Sequence, residues 1–226
     1  MDYYLLMSFN NRLLMAGLIC TSLSSSLFGS PTKADDKEGF YLTIGGGLAA
    51  IQDSEWDDRR GSTAYSGELQ HDSGFSGELG VGYDYGRSSI EITWARNSGD
   101  LDAISVDQAG IAVSVSGGVT QDGVFVTGLY DLTENSDSKI TPYLGAGLGI
   151  NKTEWDNITV AGSNVGGGWV SNVAGQVKVG TAVEMGDTND FYLEGVYTLQ
   201  GGYTVDNFEY GSVDAWSVHS GFKFRI

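Results

Sequence analysis

From residue 39 onward, hydrophobic and polar side chains alternate with a period of two, the spacing of a β-strand whose two faces meet different environments. No stretch shows a competing helical period. One face of each segment is apolar, and in six of the eight segments the other face mixes glycine with ionisable or amide side chains. The pattern therefore predicts an all-β chain of eight strands. These segments cover residues 40–49, 75–83, 90–94, 124–132, 143–150, 172–184, 191–199 and 216–226.

The connections between these segments alternate between short and long, which favours a membrane barrel with tight turns at one end and long loops at the other. Alternation alone does not show whether the apolar face meets lipid or is buried in a soluble protein, so a soluble exported β-sandwich remains an alternative. In the second long connection Ile111, Val113 and Val115 alternate, which predicts either a longer barrel wall or an added hairpin that makes ten strands. The short connections span 84–88, 133–139 and 186–190, and the long ones span 52–72, 98–121, 151–169 and 200–213.

The N-terminal segment has the pattern of a secretory signal peptide. Arg12 precedes the apolar run 13–20, and small residues at Thr32 and Ala34 predict cleavage after Ala34. We therefore divide the chain into a signal peptide, residues 1–34, and a barrel domain, residues 35–226. Translation from Met7 and cleavage after Gly29 are the alternatives.

The amino-acid composition excludes several classes of protein, metal site and partner. The chain has 34 glycines but only two prolines, which argues against collagen and proline-rich disorder. Its single cysteine, Cys20, lies in the predicted signal peptide, so the mature chain has no disulfide or thiolate metal site. The formal net charge of -17 opposes binding to phosphate backbones, and nucleic acid is excluded as a partner.

Four short motifs point to one family. The strongest is TPYLGAGLG at residues 141–149, and GFYL at 39–42, LYDL at 129–132 and QVKVG at 176–180 accompany it in order. Together they resemble the eight-stranded outer-membrane barrels of the OmpA-like and opacity-protein type. The resemblance implies a single antiparallel up-and-down transmembrane β-barrel in the envelope of a Gram-negative bacterium. It also implies the outer membrane as location, reached after export to the periplasm.

The chain departs from that family at two places. Family members usually carry an arginine near the end of the seventh strand, where this chain has Tyr197-Thr198-Leu199, so its interior salt bridges must differ. The family usually ends in phenylalanine, which the barrel-assembly machinery recognises, and this chain ends in Ile226. The predicted assembly signal consists of Trp216, Phe222, Phe224 and Ile226.

Ionisable residues on the inward-facing parity form the candidate site. An eight-stranded barrel is just wide enough for side chains to fill it, so charges in the lumen must pair. A structural plug of salt bridges is the favoured interpretation, and a gated path for protons or small ions is the alternative. The predicted lumen network consists of Glu78, Glu91, Lys178, Glu184, Glu194, His219, Lys223 and Arg225.

The sequence offers no catalytic motif. His219 and Ser220 are adjacent, so a strand directs them to opposite faces, and HExxH, GxSxG, P-loop and CxxC patterns do not occur. We expect no enzyme activity, no metal site and no cofactor. Acidic residues in the long connections, such as Asp57 and Asp102, suggest weak binding of divalent cations that bridge to lipopolysaccharide.

These observations predict an outer-membrane β-barrel, monomeric, with a structural or surface-interaction role. A narrow porin-like channel for small solutes or ions is the alternative function. The expected partners are outer-membrane lipid, lipopolysaccharide and the barrel-assembly machinery.

Overall fold

A computed structural model describes residues 38–58, 65–133, 138–160, 162–205 and 208–226, and the predicted signal peptide, residues 1–34, lies outside them. The strands are β1 (Gly39–Ile51), β2 (Ser54–Asp58), β3 (Tyr65–His71), β4 (Gly74–Asp84), β5 (Ser88–Val106), β6 (Ile111–Asp131), β7 (Ile140–Val160), β8 (Ser163–Glu184), β9 (Asn189–Gln200), β10 (Tyr203–Val205), β11 (Phe208–Tyr210) and β12 (Ala215–Arg225). One 3-10 turn, Asp107–Ala109, joins β5 to β6. Within the described ranges no helix is long and apolar enough to cross a membrane.

Eight strands close into a ring in which every neighbouring pair is antiparallel. The order is β1, β4, β5, β6, β7, β8, β9 and β12, and β12 returns to β1 with Leu42 opposite Phe224. Closure leaves the ring without an unpaired strand edge. A β-structure in hydrocarbon needs such closure because no water is present to bond free backbone groups. The predicted eight-stranded up-and-down barrel is confirmed, and the β-sandwich and ten-stranded alternatives are wrong.

The outward face of the ring is apolar and its inward face is polar. Phe75 is 75% exposed and Ile150 is 63% exposed on the outside, while Thr93 and Thr127 are fully buried inside. Every predicted segment has the parity expected from the sequence, including the fourth, where Phe125 points inward and Val126 outward. An apolar band on the outside of a closed ring is a surface for lipid chains.

The prediction of four long loops is wrong over most of their length, because β-strands continue there beyond the ring. Residues 101–106 of β5, 111–119 of β6, 155–160 of β7 and 163–170 of β8 form one sheet with β2, β3, β10 and β11, and we call this sheet the extension. The second long connection thus lengthens the barrel wall, which is one of the two alternatives predicted for it. The opposite end of the ring, with the connections after β4, β6 and β8, is called the short-turn end.

The extension does not close into a second ring within the described part of the chain. Residues 163–173 of β8 pair only with β7, and β10 pairs only with β11. A side-chain contact lies near the base of this seam, where Asn172 Nδ2 donates to the carbonyl oxygen of Gly201 at 3.0 Å.

Polarity inverts where the ring passes into the extension. The inside of the extension is apolar, built from Ile51, Leu101, Val115, Val119, Trp155, Val213 and Ala215. Ion pairs mark the outside at this level, between Arg96 and Asp122 at 3.6 Å and between Lys152 and Glu154. The outer surface becomes polar just as the inner one becomes apolar, and such a change is expected at the boundary between lipid and water.

Tyrosine rings on the inner face of the ring lie against glycines of neighbouring strands. Tyr143 of β7 is paired with Gly180 of β8, and a Cβ atom added at Gly180 would lie 2.6 Å from the Tyr143 ring. Tyr192 similarly covers Gly45 and Gly221, where an added Cβ atom at Gly221 would lie 2.7 Å from the ring. The alternating glycines thus make room for rings inside a narrow barrel.

Candidate functional site

Lys178 of β8 is the centre of a buried charged cluster inside the ring. Its Nζ lies 2.9 Å from Glu78 Oε2 of β4, 2.9 Å from Glu194 Oε1 of β9 and 3.5 Å from Glu91 Oε1 of β5. All four side chains are 2–3% exposed. Side chains from several strands thus meet at one ammonium group. They can do so because all of them point toward the inside of the ring.

Hydroxyl groups satisfy the remaining carboxylate oxygens. Tyr192 donates to Glu78 Oε1 at 2.6 Å, and Tyr143 donates to Glu194 Oε2 at 2.8 Å. Glu91 accepts from Thr93 at 2.9 Å and from Thr43 at 3.3 Å. These hydrogen bonds hold each carboxylate in place and offset part of the cost of burying it.

His219 of β12 completes the cluster. Its Nδ1 lies 3.5 Å from Glu78 Oε2 and 3.5 Å from Glu194 Oε1, and its Nε2 lies 2.5 Å from Ser76 Oγ. Ser76 in turn donates to Asn97 Oδ1 at 2.6 Å. The contact between His219 and Ser76 joins residues 143 positions apart, so sequence reasoning missed it and tested only the adjacent Ser220.

Three of the predicted lumen residues lie apart from this cluster. Arg225 forms a bidentate pair with Asp190 at 3.1 and 2.5 Å near the short-turn end. The Nζ of Lys223 lies 4.1 Å above the ring of Tyr41, and Glu184 is half-buried, with its backbone N–H donating to Lys139 O at 2.8 Å. Asp190 was missed because the sequence analysis placed it in a turn.

Charge in the cluster is less balanced than the sequence suggests. Counting all inward residues together predicts near-balance, but three carboxylates surround the single ammonium of Lys178. Lys178 of β8 is an interior cation, whereas the resemblance implied an arginine near the end of the seventh strand.

Uncharged side chains fill the lumen above the cluster. Gln200 Oε1 accepts from Asn151 at 2.6 Å and from Thr153 at 2.9 Å, and Gln121 Nε2 donates to Val213 O at 2.9 Å. The β7–β8 ladder gives the order of levels, from Lys178 through this amide layer to the apolar interior of the extension at Trp155.

Two cavities lie in the short-turn half of the lumen. Glu78, Glu91, Lys178, Glu194 and Lys223 contribute to the walls of one, with a volume of about 30 Å³. The other, of about 40 Å³, is lined by residues that include Asp84, Asp190, Lys223 and Arg225. Each has room for a water molecule. Neither is lined by Ser76 or His219, so these cavities give no space for a substrate at that pair.

Of the predicted assembly residues, Trp216, Phe222 and Phe224 lie on the outer face of β12, and Ile226 follows directly after this strand. Trp216 is 53% exposed and Ile226 is 81% exposed, and the rings of Phe222 and Phe191 meet edge to face at 5.7 Å. Their outward position is compatible with recognition by another protein, which stays a prediction.

The ring architecture is shared with solved outer-membrane proteins. Neisserial surface protein A (NspA) is 16% identical with a TM-score of 0.52, and the alignment covers 83% of this chain and 97% of NspA. The outer membrane protein OprG from Pseudomonas aeruginosa is 16% identical with a TM-score of 0.51, covering 84% of this chain and 98% of OprG.

No protein-family model matches the chain, and no curated protein matches it. The structural similarity shows that this chain has the fold of the eight-stranded outer-membrane β-barrels.

Proposed function

We propose that this protein is a closed outer-membrane β-barrel with a structural and surface-interaction role. The single observation that carries the proposal is the filling of the lumen at successive levels. Lys178, Gln121, Gln200 and Val119 are each 1% exposed, although they belong to the charged, amide and apolar levels in turn. Close-packed side chains leave no water-filled path for a solute.

The extension supports the second half of the proposal. It continues the ring as ordered β-structure with an apolar interior, so it holds a fixed outer surface, and its exposed acids include Glu55, Asp57 and Asp102. We propose that this surface faces the cell exterior, beside lipopolysaccharide, to which divalent cations bridge its carboxylates. The chain reaches this location after export to the periplasm and insertion by the barrel-assembly machinery.

Enzyme activity is not part of the proposed function. Ser76 and His219 have the contact expected of a nucleophile and its base, but Ser76 is 8% exposed and His219 is 2% exposed. A substrate would need space beside Ser76, and the two cavities described above lie elsewhere. A hydrolase would also need donors placed for a developing oxyanion.

Cysteine labelling on intact cells tests the orientation. Ser114 lies exposed on the extension and Asp187 lies exposed at the short-turn end, and the mature chain has no other cysteine. We expect a membrane-impermeant maleimide to label Ser114→Cys on intact cells and to label Asp187→Cys only after lysis. Labelling of Asp187→Cys on intact cells, or of neither before lysis, contradicts the proposal.

A narrow channel is the second candidate, and the two cavities beneath the charged cluster favour it. Planar-bilayer recording of the folded protein separates the candidates, with unfolded protein as the control. We expect no discrete conductance steps. Steps whose size follows the salt concentration would establish the channel instead.

A further inference from the structure

We propose that Glu78, Glu194 and His219 form a binding site for one divalent transition-metal ion of the zinc type inside the barrel. Each residue offers one ligand atom, and the three atoms lie within 4.8 Å of one another. Imidazole nitrogen and carboxylate oxygen are the ligands that zinc takes alongside thiolate. The three residues come from β4, β9 and β12, respectively, so the site would join separate strands of the ring.

The distances suit a tetrahedral ion. Ligands at roughly 2.1 Å from a tetrahedral zinc lie about 3.4 Å from one another. The distance from His219 Nδ1 to Glu78 Oε2 is 3.5 Å, and that to Glu194 Oε1 is also 3.5 Å. These separations are longer than ordinary hydrogen bonds of charged groups, yet they match the edges of a coordination tetrahedron.

The contact of His219 Nε2 with Ser76 leaves Nδ1 facing the two carboxylates. Ser76 has one hydroxyl hydrogen and donates it to Asn97 Oδ1, so its oxygen accepts from His219 Nε2–H. In the neutral imidazole that metal binding requires, Nδ1 is then the acceptor nitrogen. It has no hydrogen-bond partner although the side chain is only 2% exposed, and it faces two carboxylate oxygens. A metal ion that displaces a proton from Nδ1 would accept the lone pairs of all three atoms.

The charge of the cluster also favours a bound cation. Glu78, Glu91 and Glu194 carry three negative charges, and Lys178 carries one positive charge. A divalent ion makes the cluster neutral, which a low-dielectric lumen favours over a net charge. Lys178 keeps a partner in Glu91, 3.5 Å away, when the ion shares the oxygens of the other two glutamates.

The cavity below the cluster provides access. Glu78 and Glu194 line the cavity of about 30 Å³, and Lys223 lines both this cavity and the next one toward the short-turn end. An ion can therefore enter from that end, and a water molecule in the cavity can fill the fourth coordination position.

Metal titration of the folded, chelator-treated protein tests the site. We expect one Zn²⁺ per chain by elemental analysis after dialysis, and Co²⁺ should give the intense visible absorption of a tetrahedral complex. His219→Leu should weaken Zn²⁺ binding by about 100-fold or more, because even outer-shell changes cost 10–100-fold. Glu194→Gln, which keeps the shape of the side chain, should also abolish the Co²⁺ spectrum.

His71→Gln is the matched control, since it removes the other histidine of the mature chain but lies in the extension. It should bind Zn²⁺ as the wild type does. Heat-modifiable gel mobility identifies folded samples, and Glu194→Gln provides a second variant if His219→Leu fails to fold. Absence of stoichiometric Zn²⁺ from the wild type overturns the proposal. Unchanged binding in folded His219→Leu or Glu194→Gln also overturns it, because surface carboxylates then hold the ion.

Discussion

The ring and the extension share four strands, yet they place opposite kinds of side chain inside. In the ring, β8 directs Lys178 inward and Val179 outward. Farther along the same sheet, Trp155 and Val119 point inward and Asp156 lies exposed. Backbone pairing continues across the boundary, so strand structure is independent of which face is apolar. The solvent outside decides that, because lipid requires an apolar exterior and water a buried apolar core.

The two regions should therefore respond differently to the same kind of change. Ring stability depends on closure and on the buried ionic cluster. The extension has open edges at β8 and β10, and an apolar core holds it together. The following experiments apply matched changes to both.

Removal of strand residues should have the largest effect. Deletion of residues 222–226 takes away four of the eleven residue pairs of the β1–β12 ladder that closes the ring, and unpaired backbone in hydrocarbon costs several kcal/mol per group. We expect this chain to remain in the periplasm or to be degraded. Shortening the β7–β8 hairpin by residues 158–167 should leave insertion intact. Membrane fractionation measures both, and insertion of the first variant would disprove ring closure through β12.

Replacement of lysine by methionine compares a buried ion pair with an exposed one. Lys178→Met leaves three buried carboxylates without their ammonium, at a cost of about 3–5 kcal/mol in the free energy of unfolding. Lys152→Met removes a pair with Glu154 whose side chains are 40% and 38% exposed, at a cost of at most about 1 kcal/mol. Urea unfolding in detergent micelles or vesicles measures the difference. Equal effects would show that water reaches Lys178 freely.

Introducing arginine on the outer face tests where lipid ends. Val179 is 57% exposed on the ring, so Val179→Arg should cost about 2–4 kcal/mol if it lies near the bilayer midplane. Ser114 is exposed on the extension, and Ser114→Arg should be nearly neutral. The folded fraction in lipid vesicles reports both. A similar loss in the two variants would place Ser114 in lipid as well.

Acidification should have the smallest effect and should act on the extension alone. Burial lowers the pKa of the His71 imidazole below its usual value, and Asp53, 4.0 Å away, offsets this only in part. The extension is then fully stable above about pH 6.5, where unfolded histidine is neutral, and loses stability as the pH falls toward the lowered pKa. Hydrogen exchange should show weaker protection of β3 at low pH, unchanged protection of the ring, and no pH dependence of β3 in His71→Leu. Equal loss of protection in the ring would rule out His71 as the cause.

The sequence predicts the ring well because each strand has a period of two and one uniformly apolar face. Even the fourth segment, with Phe125 inside, keeps its apolar outer parity at Val124 and Val126. The extension was predicted as loops because its polarity reverses and register shifts, such as that between Asp100 and Ala103, break the period.

The candidate site is only partly predictable for a different reason. Parity assigns Glu78, Lys178 and His219 to the lumen, but height within the barrel depends on strand register and tilt. The contact between Glu78 and Lys178 spans 100 residues of sequence, and no local pattern encodes it. Arg225 has the correct parity, yet it pairs with Asp190 near the short-turn end.

The packing of tyrosine rings onto glycines has a consequence for how such chains diverge. Gly180 accommodates the ring of Tyr143, so a side chain can arise at position 180 only where position 143 has already become smaller. The same dependence links Gly45 to Tyr192, whose hydroxyl group occupies the place of a Cβ atom there. We expect these pairs to co-vary among homologous sequences although 37 and 147 positions separate them along the chain. Part of the glycine content then reflects such pairs, in which each residue restricts the substitutions open to the other.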